Sequence, residues 1–168
     1  MRRSALLSVV FTAIAFLSVV HEREPALAQS DEMIASISAE VSAHMAEYYR
    51  LFSERNMEAM PEEIFTIPWM TFGPNGMTVS SSRDEALVRW QRSLIGLLQR
   101  GWDHSEFTVE NVCVLNEGMA IVSGYNTRFA EDGSEMSVGS LAYFLAQTDA
   151  GWRIIGYTGI ERGKLVSC

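Results

Sequence analysis

His44 and Tyr48 stand four residues apart, one turn on a helix, so an imidazole able to take a proton and a phenol able to donate a hydrogen bond can face one cavity. The plainer readings are a structural histidine at a helix edge and a tyrosine in the core. Asp103 and His104 are adjacent, and a carboxylate beside an imidazole can orient or charge it. Neighbours in a loop seldom face each other, so a solvated pair is the plainer reading there. Asn126 and Arg128 alternate with Tyr125 and Thr127, which puts the first two on one face of a strand. Facing a cavity, they can hold a carbonyl or carboxylate; facing out, they are rim or interface groups, and the pattern does not choose. Tyr143 and Tyr157 carry the same ambiguity. The stretch TIPWMTFGPNG, residues 66–76, has no acid or base. Its Trp69, Met70 and Phe72 are wall material for a flat or flexible apolar ligand, or plain core.

Other chemistries lack their residues. The chain has no G-x-S-x-G, HExxH, phosphate-binding glycine loop or dinucleotide fingerprint, so no cofactor is implied and any reaction would be cofactor-independent acid–base work. Cys113 and Cys168 fit no metal-ligand spacing, and no metal site is expected. They are either one disulfide tying the C-terminal tail to a strand or a buried thiol plus a loose terminal one.

The N-terminus reads as an address. Two arginines, an apolar run from Ala5 to Val20 and Ala26-Leu27-Ala28 form the n-region, h-region and cleavage site of a secretory signal over residues 1–28. The run is shorter than the roughly 20 apolar residues of a membrane span. Cleavage would leave residues 29–168, about 140 residues, enough for a single domain with a proper core. The expected product is exported, periplasmic or secreted, with no membrane attachment after cleavage. With 13 basic against 21 acidic side chains, the net charge is −8. Such a surface disfavours nucleic acid and anionic membranes as partners.

The elements that would hold these residues follow from periodicity. From Asp31 to Glu54 an apolar stripe of Ile34, Ile37, Val41, Met45, Tyr48 and Phe52 predicts an amphipathic helix, with a short helical turn over 57–63. Phe65 to Phe72, the Gly73-Pro74-Asn75-Gly76 turn and Met77 to Ser80 read as a hairpin. Ser82-Arg83-Asp84-Glu85 is a capping box opening a helix with a stripe of Leu87, Trp90, Leu94, Leu97 and Leu98, and Gly101 stops it. From Glu106 onward, turns at 116–118, 131–133 and 149–151 divide four strands of an antiparallel meander. SLAYFLA and WRIIGY are apolar on both faces. Helices can cover one face of the sheet, and a homodimer partner is the simplest cover for the other; a sheet curled enough to be covered by its own chain is the alternative.

This order, with VENVCVLNEGMAIVSGYNTRF and the D-A-G-W-R-I turn into the last strand, resembles the nuclear transport factor 2-like superfamily and its SnoaL-like branch over roughly residues 31–160. The resemblance implies a cystatin-like α+β fold, a curved antiparallel sheet wrapped around N-terminal helices to form a cone-shaped pocket. The superfamily holds isomerases, cyclases, dehydratases, association domains and many members without assigned activity, so the fold alone selects none of these. Isomerase-like members carry a carboxylate on the strand before the Pro-containing turn; that position falls near Phe72 or Gly73, and neither shuttles a proton. The leading expectation is an exported domain binding a small apolar molecule through Trp69, Met70, Phe72, Asn126 and Arg128. The alternatives are a cofactor-independent isomerase, cyclase or dehydratase using His44 with Tyr48 or Asn126, and a dimerisation or association module.

Overall fold

The computed structural model describes residues 23–168; most of the leader expected over residues 1–28 lies outside the described residues. Helix α1 (Arg23–Ser53) is followed by a π-helical turn (Met60–Ile64), strands β1 (Phe65–Gly73) and β2 (Gly76–Ser80), helix α2 (Arg83–Leu98), and strands β3 (Trp102–Asn116), β4 (Met119–Ala130), β5 (Glu135–Thr148) and β6 (Gly151–Ile160). Among the described residues, no helix is long and apolar enough to cross a membrane.

The two helices obey the 3.6-residue period with a small rotation from the expected stripes. On α1, Ile37, Val41, Met45, Tyr49 and Phe52 are buried, while Ile34 is 41% exposed. On α2, the buried face is Ala86, Trp90 and Leu97, and Leu98 is 38% exposed. Alanine at position 86 marks the true face because a small side chain lets the helix approach the sheet. The cap forms in one half as the capping box requires, and in the other half Glu85 reaches one residue further back, to Ser81 instead of Ser82. Ser82 Oγ accepts from the Glu85 N–H at 3.3 Å, and the Glu85 carboxylate accepts from the Ser81 N–H at 2.8 Å. At the other end Gly101 sits at φ +80, a left-handed position that glycine occupies without penalty.

One six-stranded sheet follows the order β2-β1-β6-β5-β4-β3. β3 to β6 form the expected antiparallel meander, but β1 pairs with β6 in parallel, so the sheet is mixed rather than wholly antiparallel. The chain between β1 and β6, which runs through β2, α2 and β3 to β5, allows this, because a parallel neighbour needs a long crossover and not a hairpin. β3 also begins at Trp102, earlier than the alternation suggests, since a bulge between Trp102 and His104 breaks the period of two. Further irregularities between Val109 and Asn111 and between Val114 and Asn116 bend the β3–β4 pair. Gly124 permits the close approach there: a Cβ would run into the Thr108 carbonyl.

The concave face of this curved sheet receives α1, α2 and the π-helical turn. Phe65, Trp69 and Trp90 pack together, with Trp69 and Trp90 stacked at 5.1 Å, tying β1 to α2. The outer face is covered in part by the chain itself. Ser123 Oγ donates to the Val166 carbonyl at 2.9 Å, and Cys113 on β3 is joined to Cys168. Of the two cysteine readings, the disulfide is the one formed, and the tail after β6 takes some of the surface that the sequence assigned to a partner subunit.

The disulfide closes a sequence separation of 55 residues, which by chain entropy corresponds to about 4 kcal/mol. Denaturant unfolding with and without reductant, and of Cys168→Ser, should show a loss of that order; an unchanged midpoint would mean that the tail adds nothing to stability.

Candidate functional site

A cavity of about 600 Å³ lies where the helices do not fill the concave face. α1 contributes Tyr48, Tyr49 and Phe52 to its wall, β1 contributes Trp69, and α2 contributes Arg89, Trp90, Arg92 and Leu97. From the sheet come Ser105, Asn126, Arg128, Leu141, Tyr143 and Tyr157. The volume lies in the range of small-molecule sites.

Four phenols dominate the polar chemistry. The Tyr49 and Tyr143 hydroxyls are hydrogen-bonded to each other at 2.7 Å across the core, one donating and the other accepting. Burial pushes both phenols well above the usual tyrosine range; Tyr49 and Tyr157 raise Tyr143 further, whereas for Tyr49 the nearby Tyr48 adds to the effect and the bond to Tyr143 opposes it. Tyr48 is raised well above that range by burial first and then by Tyr143 and Tyr157; the Arg128 charge acts in the opposite direction. Tyr157 is raised by burial against the pull of Arg89 and Arg128. All four are therefore protonated at neutral pH. They serve as hydrogen-bond donors, not as bases.

The positive charge comes from arginine. Arg89 lies over the Trp69 ring at 4.5 Å and donates from its two terminal nitrogens to Ser80 Oγ at 2.9 Å and Thr71 Oγ1 at 3.0 Å. Arg128, opposite Ser105 in the β3–β4 register, makes no ion pair among the described residues. Among the described residues, neither a carboxylate nor a histidine lines the cavity. Among the described residues, three buried atoms of its wall residues have no partner, Trp69 Nε1, Asn126 Oδ1 and Ser140 Oγ.

The structure divides the residues singled out from sequence. Tyr48, Trp69, Asn126 and Arg128 are brought to the cavity, and the ambiguity of Asn126 and Arg128 resolves to the inner face. Tyr143 and Tyr157 join them. His44 does not: its Nε2–H donates to the Ile64 carbonyl at 3.0 Å, against the π-helical turn, so it does not meet Tyr48 in the cavity. Met70 and Phe72 also lie elsewhere. Strand alternation sends Trp69 and Thr71 inward and these two outward, where Phe72 packs edge-on against Phe144 at 5.7 Å. Asp103 and His104 are on β3, not in a loop, and they do face each other. His104 Nδ1–H donates to Asp103 at 2.9 Å, and its ring stacks on Phe129. Since His104 pairs with Phe129 while Ser105 and Arg128 turn inward, this pair belongs to the outer face. Among the described residues, no cluster of three or more His, Cys, Asp or Glu is placed to hold a metal.

Sequence reasoning missed Tyr49, Arg89 and Arg92. For Arg89 a signal existed: it follows Ala86 by one turn, and Ala86 lies on the buried face of α2. Tyr49 is overshadowed in the sequence by its neighbour Tyr48, although it is Tyr49 that is 7% exposed and bonded across the core.

An α+β cone with an aromatic, arginine-lined cavity under two helices defines a pocket-bearing domain of the cystatin-like architecture. Residues 39–161 match the family described as NTF2-like protein (DUF6841), and the chain belongs to that family. Solved structures show the same fold at low identity. An NTF2-like protein of unknown function from Shewanella oneidensis superposes with a TM-score of 0.60 at 13% identity, covering 74% of this chain and 98% of its own. An NTF2-like protein with a cystatin-like fold from Novosphingobium aromaticivorans gives 0.60 at 14% identity, covering 86% and 94%. Aln2 from a Streptomyces species gives 0.60 at 13% identity, covering 74% and 89%. No functionally curated protein matches the sequence.

His44 yields a pH prediction. Burial lowers its pKa most, the Arg153 charge lowers it further, and the Ile64 bond and Glu47 oppose them. A depressed folded-state pKa means that the contribution is present above the unfolded value and is lost as pH falls, because the unfolded chain takes the proton more readily. Unfolding free energies of wild type and His44→Gln, compared at about pH 7.5 and about pH 5, should show a smaller acid loss in the variant. Equal losses would contradict this placement.

Proposed function

We propose that this chain is an exported NTF2-like domain that binds a small molecule with an apolar body in its cavity, without performing catalysis on it. The observation that carries this reading is the composition of the wall. Stacked Trp69 and Trp90, together with Phe52, Leu97 and Leu141, offer apolar and aromatic surface to a ligand. The phenols and arginines around them orient a ligand by hydrogen bonds. The catalytic alternative needs a base beside the substrate, and the two histidines among the described residues, His44 and His104, both lie outside the cavity wall.

The test is titration with phenylnaphthylamine, a neutral probe that brightens in apolar surroundings. Saturable binding to one site per chain is expected. Leu141→Trp, which overfills the cavity at a cost of about 1–3 kcal/mol, should abolish binding while the circular dichroism spectrum is kept. Non-saturable binding, or binding untouched by Leu141→Trp in a folded protein, overturns the reading.

We propose further that two copies associate through the outer face of β1 and β2. Met70 pairs with Val79 and Phe72 with Met77, so the four side chains share one face. Phe72, Met77 and Val79 are exposed by 38%, 56% and 39%, and the C-terminal tail is anchored instead over β3 and β4. A second copy supplies a self-complementary apolar cover for this edge hairpin. Light scattering should find a two-chain particle, and Phe72→Glu should give one chain per particle. A monomeric wild type at micromolar concentration contradicts the proposal.

A further inference from the structure

Building on the reading of the cavity as a ligand pocket, we infer that its ligand is a small organic anion, a carboxylate carried on an aromatic or alicyclic body, with Arg128 as the principal counter-charge. The chain is acidic overall, at net −8, yet three arginines and no carboxylate line this one cavity. Outside the cavity, two guanidinium groups are matched by carboxylates within the chain, and Arg153 donates to backbone carbonyls. Arg50 is paired with Glu47 and Glu54, and Arg83 with Glu58 and Glu62. Arg128 has no such partner among the described residues, and Arg89 has only two hydroxyls and an indole face. A guanidinium in a recess is costly to leave without a counter-ion, and an arriving anion removes that cost.

The count of donors and acceptors points the same way. Arg89, Arg128 and the protonated phenols of Tyr48, Tyr157 and the Tyr49–Tyr143 pair present a surplus of N–H and O–H groups. A carboxylate is acceptor-only and offers about four lone-pair directions, so it matches this surplus where an amide or alcohol would bring donors of its own. Arg128 can take it in bidentate fashion, which fixes orientation as well as charge. Arg92 is exposed, three residues along α2 from Arg89, and adds positive charge at the rim. The aromatic wall requires the rest of the ligand to be apolar, which separates the proposed ligand from a free inorganic anion.

Naphthoate and naphthamide are nearly isosteric and differ in charge, and both can be followed by quenching of tryptophan emission. Naphthoate should bind about tenfold or more tightly than naphthamide, as expected for hydrogen bonds to a charged group. Arg128→Gln should lower the ratio to about twofold, the share left to the remaining arginines, and Arg50→Gln, outside the cavity, should leave the ratio unchanged. If Arg128→Gln does not fold, Arg92→Gln is expected to lower the ratio by about twofold, the weaker effect of an exposed charge. Naphthamide binding as well as naphthoate in the unaltered protein overturns the anion assignment and leaves the pocket reading standing. Binding of neither overturns both. Inorganic phosphate displacing naphthoate at equal concentration would show a bare anion site and overturn the proposed apolar body.

Discussion

One helix cannot cover the concave face of a six-stranded sheet, and the rest of this molecule depends on that mismatch. α1 lays Val41, Met45, Tyr49 and Phe52 across the sheet, fully burying Val41 and Met45 and fastening itself to β5 through the Tyr49–Tyr143 hydroxyl bond. α2 supplies a second cover held by the Trp69–Trp90 stack. Between the two helices the sheet continues without cover, and the side chains there form the cavity wall. The curvature that creates this space is written into the strands as bulges in β3 and a glycine at position 124 that lets β4 meet the Thr108 carbonyl.

The same packing sets the chemistry. Phenols held at the base of an apolar wall lose the option of ionising and become donors. Arginines facing the recess keep their charge regardless of burial, because a guanidinium does not deprotonate under any ordinary condition. His44, the side chain best suited to moving protons by its sequence position, spends its Nε2–H on the Ile64 carbonyl and fixes the π-helical turn against α1. The arrangement favours recognition of an electron-rich group over proton transfer. Membership in the NTF2-like family is consistent with this, since that fold serves many roles and the residues of the cavity must decide among them.

Much of the architecture was legible in the amino-acid order because it is locally encoded. The α1 stripe, the Ser82–Glu85 cap, the 73–76 turn and the three meander turns each rest on contacts within a few residues. The parallel pairing of β1 with β6 was not legible, since it joins residues such as Thr71 and Tyr157 across most of the domain. The start of β3 was hidden by the bulge after Trp102. For the site, strand alternation correctly joined Asn126 to Arg128 but could not say which face was inside. It also separated Trp69 from Met70 and Phe72, which composition alone had grouped. Arg89 carried one local cue, its place a turn after Ala86, but its seat over the Trp69 ring depends on a contact with a distant strand.

The central claim is that the uncovered part of the concave face receives an organic anion at Arg128. A crystal structure grown with naphthoate measures this most directly. The account predicts the carboxylate within hydrogen-bonding distance of the Arg128 guanidinium and the rings against Trp69, Trp90 or Leu141. Naphthoate seated on the outer face of β1 and β2, or inside the cavity with its carboxylate turned away from Arg128 and Arg89, would contradict it.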